Sequence, residues 1–329
     1  MTLQKMNFGN PKPLDTLETG KEFNTFILDT CKKIEFIYDE TDSGGIEIEY
    51  NDDSTVMTVK SPNKIYSNIN SSQMFYNAVN VEEIDFSNFD TTLVTNMDAM
   101  FYGCKSLKRL DLTSFNTSNV NIMTYLFYAC ESLEYVDLSS FDTSKLRLVN
   151  GMFFKCKSLK TLDLHSFRTD SLIETFAMFE GCSSLQELDL SSFNTSNVKT
   201  MEYMFAGCSD LVKVNVCSFD TSKVNDLSRM FYKCHSLKEV NVANFDTKNV
   251  LDLDFMFCEC ETLTRVDISN WDLNNVTDMA YTFSGCSELT DLGVTELYIP
   301  KLEDSNRVFY KCGKLNIPKI IGGVIDEGN

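Results

Sequence analysis

Cys104, Cys130, Cys156, Cys182, Cys208, Cys234, Cys260, Cys286 and Cys312 stand 26 residues apart without a slip. Thiols in such a row could bridge, hold a metal or act as nucleophiles. Metal sites and redox pairs favour closely spaced cysteines, and no C-x₂-C occurs; Cys258-Glu259-Cys260 reads as one added cysteine rather than a zinc knuckle. If equal steps in sequence are equal turns in space, neighbouring Cβ atoms point the same way at a strand-like step of about 5 Å, whereas a disulfide needs about 3.8 Å. Nine is also odd. The row is therefore expected to be packing, since free cysteine behaves as a small buried hydrophobe. Cys31, Cys217 and Cys258 lie off the row, and any of them could be an exposed thiol.

The two histidines do not complete a catalytic pair. His165 belongs to an outward strand position and His235 follows a row cysteine, nearly three turns away or roughly 13 Å along a strand stack. No phosphate-cradling glycine loop, HExxH or GxSxG is present. The sequence is not expected to encode an enzyme and implies no cofactor.

A third row is carboxylate: Asp85, Asp111, Asp137, Asp163, Asp189, then Asn215, Asn241 and Asp267. Like charges about 5 Å apart repel by roughly 0.8 kcal/mol per neighbour even in water. Hydrogen bonds from the residue two on, such as Thr113 or Ser139, would offset this. A calcium ion bridging adjacent aspartates, or a cationic partner, would also do so.

All these rows need one framework. Phenylalanine recurs at the same step from Phe75 to Phe309, and a second aromatic row runs from Phe89 to Trp271. Such a period marks a solenoid whose turns each bury their apolar face on their neighbours. Leu107, Leu110 and Leu112 follow L-x-x-L-x-L, the strand half of a leucine-rich repeat, with Asp111 outward. A corner follows at 116–119. Val120, Met123, Leu126, Phe127 and Cys130 then show the spacing of a short helix with one buried face.

The expected fold is therefore an α/β repeat: a right-handed leucine-rich-repeat solenoid with parallel strands on one face and short helices on the other, plus a small N-terminal α+β cap. Residues 1–66 form the cap, a short helix carrying Phe23, Phe26 and Ile27 followed by an antiparallel unit turning at Gly44-Gly45 and 51–53. Residues 67–318 form about ten turns, and 319–329 a tail.

At −19 formal charge, nucleic acid is an unexpected partner, and no apolar run reaches 18 residues, so no membrane span is expected. The opening residues lack a charged n-region followed by an apolar h-region. Cell-surface or secreted placement would then require a trimmed signal segment, and the chain would otherwise be cytoplasmic.

The unit SLQELDLSSFNTSNVKTMEYMFAGC, Ser184 to Cys208, resembles the repeat of the BspA-like leucine-rich-repeat surface proteins of bacteria, over about residues 70–312. The lead-in LETGKEFN…CKKIEFIYDET…KIYSNINSSQMFYN is similar to the segment preceding such repeats. The resemblance implies a strand-and-helix solenoid used for attachment to host proteins or other cells, with no enzymatic activity to carry over; the expected partner is a host or extracellular-matrix protein, and the chain is expected to be a monomer.

On the strand face, Arg109, Tyr135, Thr161, Glu187, Lys213, Glu239 and Arg265 form a row whose type changes at every turn while the core rows stay constant. Packing does not dictate these positions, so they are the expected ligand-binding residues, beside Asp111, Asp137, Asp163 and Asp189. Tyrosine and arginine are residue types that interfaces favour. The alternatives are an intracellular or phage-borne interaction module and a passive rigid spacer.

Overall fold

A computed structural model describes residues 16–39 and 46–324. The 26-residue step becomes a β-solenoid of about twelve turns. On one face Arg109–Asp111 pairs in parallel with Tyr135–Asp137, setting Leu110 opposite Val136. Glu187–Asp189 pairs likewise with Lys213–Asn215, and single bridges continue that row through Glu239 and Arg265 to Asp291. Residues 161–163 form no strand, so the ladder is interrupted between Tyr135 and Glu187.

The expected helix face is absent. Among the described residues the one α-helix is α1, Gly20–Asn24, and the segments read as helical run as chained turns. In residues 97–104 the N–H groups alternate in direction. Met97, Ala99, Phe101 and Gly103 donate to Ile122, Thr124, Leu126 and Tyr128 of the next turn at 2.7–3.0 Å, while Met100, Tyr102 and Cys104 donate three residues back at 3.1–3.2 Å. The alternation uses left-handed backbone twice per turn, as at Ala99 (φ 51°) and Gly103 (φ 71°). Glycine takes this conformation freely, but Lys155, Lys233 and Glu259 adopt it too, held by the ladder on both sides.

The reason is spacing. Packed helices need about 8–10 Å between axes, whereas strands stack about 4.8 Å apart. The rings of Phe75 to Phe309 stack turn upon turn at 5.3–5.7 Å between centroids. The second face thus advances by nearly a strand step, leaving no room for helices. Turns closed three residues back also bring residues three apart to one side, which is why the apolar spacing imitated a helix.

Two polar rows sew the turns together from inside. Each row cysteine donates its S–H to the carbonyl of a phenylalanine one turn earlier, from Cys104 on Phe75 to Cys312 on Phe283, at 3.0–3.1 Å. At the corner, buried Thr195 accepts the Asp220 N–H at 2.8 Å and donates to the Asp220 carbonyl at 3.0 Å. Thr169 makes the same double contact with Asn194. Buried and part-buried backbone groups are thereby satisfied where no strand pairs them.

At the N-terminal end, β1 (Lys33–Tyr38), β2 (Glu47–Tyr50) and β3 (Val56–Ser61) make a mixed sheet rather than a purely antiparallel unit. β2 and β3 form the antiparallel hairpin around 51–53, but β1 runs parallel to β3. On its other edge β1 pairs in parallel with Glu83–Asp85, so the sheet leads directly into the stack. Phe23 of α1 is buried against Phe36 and Phe75, with centroids 6.0 Å apart in each case. The turn expected at Gly44-Gly45 lies outside the described residues. At the other end Lys319–Ile321, the start of the expected tail, pairs in parallel with Glu296–Tyr298.

Candidate recognition faces

The strand-face row is outward, as its alternation requires: Arg109, Tyr135, Thr161, Glu187, Lys213, Glu239 and Arg265 are all exposed, Tyr135 by 49%. Lys213, Glu239 and Arg265 line one shallow depression of about 440 Å³, floored by Val214 and Val240 and edged by Asn215, Cys217, Asn241, Ala243 and Asp267. Arg109 and Tyr135 lie side by side farther along, and Thr161 sits where the ladder is interrupted. Arg265 is already engaged, with Nε 3.1 Å from Asp291 Oδ2 and Nη2 3.8 Å from Asp267.

The aspartate row is a series of caps. One carboxylate oxygen of Asp111, Asp137, Asp163 and Asp189 accepts the N–H two residues on, at 2.9–3.0 Å. The Thr113 hydroxyl adds a second bond to Asp111 at 2.6 Å. That hydroxyl holds the Asp111 carboxyl below the usual carboxylate range, and Ser139 does so for Asp137. For Asp163 and Asp189 the backbone N–H of His165 and Ser191 is the main cause. Donors from the row's own turn thus offset the repulsion between neighbours. Among the described residues, no three His, Cys, Asp or Glu side chains form a metal-holding group.

His165 ties two members of this row together: Nδ1 is 2.8 Å from Asp163 Oδ1 and Nε2 3.4 Å from Asp189 Oδ2. Asp163 raises the His165 pKa above its ordinary value. His235 faces Glu261 at 3.6 Å on another side. The histidines are therefore held apart, and Cys234 beside His235 is buried with its thiol pushed well up by burial.

A second face was missed. Two residues before Cys104, Cys130 and Cys156 the chain carries Tyr102, Tyr128 and Phe154, preceded at the same step by Tyr76. Their rings stack in a half-exposed column at 4.3–4.6 Å. Farther along, the Arg229 guanidinium lies over Tyr203 at 5.3 Å and Phe255 at 4.9 Å, and Arg307 over Tyr281 at 5.9 Å and Tyr310 at 5.1 Å. The signal was the 26-residue recurrence of aromatics, hidden by reading the segment as a helix with one buried side.

The family described as "Mycoplasma protein of unknown function, DUF285" matches residues 69–188, 150–241 and 209–320. No curated protein matches the chain. Among solved structures, a leucine-rich repeat protein from Eubacterium ventriosum is similar at 14% identity, over 87% of this chain and 97% of that one, with TM-score 0.31. The TLR13–ssRNA13 complex is similar at 14% identity over 92% of this chain, TM-score 0.33, and the chain spans 45% of that protein's length.

Proposed function

The chain belongs to the DUF285 family, and from that premise we propose a non-catalytic, protein-binding solenoid of the BspA-like kind, displayed on or secreted from a bacterium and recognising host or cell-surface proteins. The carrying observation is the contrast between rows. Core positions repeat one residue type turn after turn, while the exposed row from Arg109 to Arg265 changes at every turn. A repeat scaffold supplies the surface, and only such freely varying positions can encode a partner.

The non-catalytic reading is supported by the burial of the row thiols, which raises the pKa of Cys208 and Cys234 through desolvation. Tyr135 and Arg109, adjacent and exposed, are the proposed anchors. The test compares wild type with an Arg109→Glu/Tyr135→Ala variant for capture of immobilised cell-surface and extracellular-matrix proteins. The reading expects saturable capture by wild type and its loss in the variant. Capture confined to intracellular proteins would favour an intracellular or phage-borne module, and no capture by either protein a passive spacer.

A further inference from the structure

The tyrosine column has geometry that partner binding does not require. Tyr76 and Tyr102 stack at 4.6 Å with planes 18° apart, and Tyr102 and Tyr128 at 4.3 Å with planes 3° apart. All three are half-exposed, and Phe154 continues the stack beyond Tyr128. Among the described residues, no other two tyrosines stack face to face. Exposed Tyr135 has Arg109 and Thr161 as row neighbours, and Tyr298 pairs with Ile321.

We propose that Tyr102 and Tyr128 form an oxidative modification site, at which a one-electron oxidant of the haem-peroxidase class, supplied with hydrogen peroxide, joins the two rings as dityrosine. Tyr76–Tyr102 and the edge-on pair Tyr125–Tyr128, 5.5 Å apart, are the competing pairs. The product is a covalent staple between consecutive turns, and it goes beyond the binding function because it does not depend on the strand-face partner.

The atoms balance. Each phenol gives up one electron and its hydroxyl proton, leaving a phenoxyl radical whose unpaired spin reaches the carbons ortho to oxygen. One ortho carbon of each ring joins the other in a new C–C bond. The hydrogens on those carbons then move to the oxygens, restoring both phenols. Two electrons and two protons in total reduce one hydrogen peroxide to two waters, and the protein loses two hydrogens.

Two features favour this pair. Parallel rings carried on equivalent positions of adjacent turns need only turn about their Cβ–Cγ bonds to bring ortho edges face to face. The sulfurs that would quench a tyrosyl radical, Met100, Cys104, Cys130 and Met152, are fully buried.

The experiment treats the dilute full-length chain with a haem peroxidase and hydrogen peroxide, then maps peptides of the monomer band by mass spectrometry. The expected product links the Tyr102 and Tyr128 peptides with two hydrogens lost, alongside dityrosine fluorescence in that band. Tyr102→Phe keeps the ring and its stacking, yet should abolish the linkage; Tyr135→Phe should leave it unchanged. Dityrosine absent from the monomer band, found only between molecules, or equally abundant in Tyr102→Phe would overturn the assignment.

Discussion

Arg229 Nη2 stands 2.6 Å from Asp254 Oδ2, with the guanidinium lying over the rings of Tyr203 and Phe255. The other carboxylate oxygen of Asp254 is buried without a hydrogen-bond partner. Burial, then the charge of Asp252, pushes the Asp254 carboxyl up to about 7 against the pull of Arg229; Asp278 and Asp226 add to the rise. Asp252 and Asp278 are themselves raised, chiefly by burial.

A raised carboxyl pKa costs stability as pH rises. Below pH 4 Asp254 is protonated in folded and unfolded chains alike. Between about 4 and 7 the unfolded chain releases the proton while the folded one keeps it, so stability falls through that window and levels off above it. Asp254→Asn keeps an acceptor for Arg229 and should flatten the decline, raising the melting temperature at pH 8 more than at pH 4. Parallel melting curves for variant and wild type across the range would refute this.

Thiol reactivity follows from burial. Of the twelve cysteines only Cys217 is exposed, and burial raises the pKa of others such as Cys156 and Cys260. Ellman's reagent should therefore titrate one thiol rapidly in the native protein and all twelve in denaturant. Cys217→Ser should remove the fast phase completely.

The corner threonines should be costly to replace. Thr195→Val preserves shape but leaves both the N–H and the carbonyl of Asp220 without the hydroxyl that serves them. Stranding a fully buried polar group costs about 1–3 kcal/mol, and because Asp220 is itself exposed the loss should fall near the lower end. Thr195→Ser retains the hydroxyl and should lose much less, as urea unfolding of the two variants would register.

His165 is predicted to titrate above its ordinary value in a proton NMR titration, because Asp163 and then Asp189 favour its charged form. Its contribution to stability is complete below the unfolded pKa and disappears as pH rises through the folded one. Asp163→Asn should lower the midpoint of His165.

The period of the fold was legible because side-chain columns and chain turns are the same thing in a solenoid. Phe75 to Phe309 and Cys104 to Cys312 could be read as buried rows before any backbone was known, and Asp111 as an outward residue capped by Thr113. The helices were misread because apolar positions three apart suit a helix and a chain of turns equally. What separates them is the destination of each N–H, and residue type leaves little trace of that. Left-handed backbone at Lys155 or Glu259 carries no glycine to announce it. With the helix assumed, Tyr76, Tyr102 and Tyr128 had no face to share, and Arg229 no reason to meet Asp254.

The alternation of N–H groups on the turn-rich face also governs how such a gene can change. Since Met97, Ala99, Phe101 and Gly103 all hand their protons onward, a turn borrows closure from its successor. Deleting a single codon would shorten one turn to 25 residues and break the ladder there, although the turns beyond it stay in step with one another. Unequal recombination between repeats adds or removes 26 codons and reseals each ladder, so evolution can lengthen or shorten this rod only by whole coils.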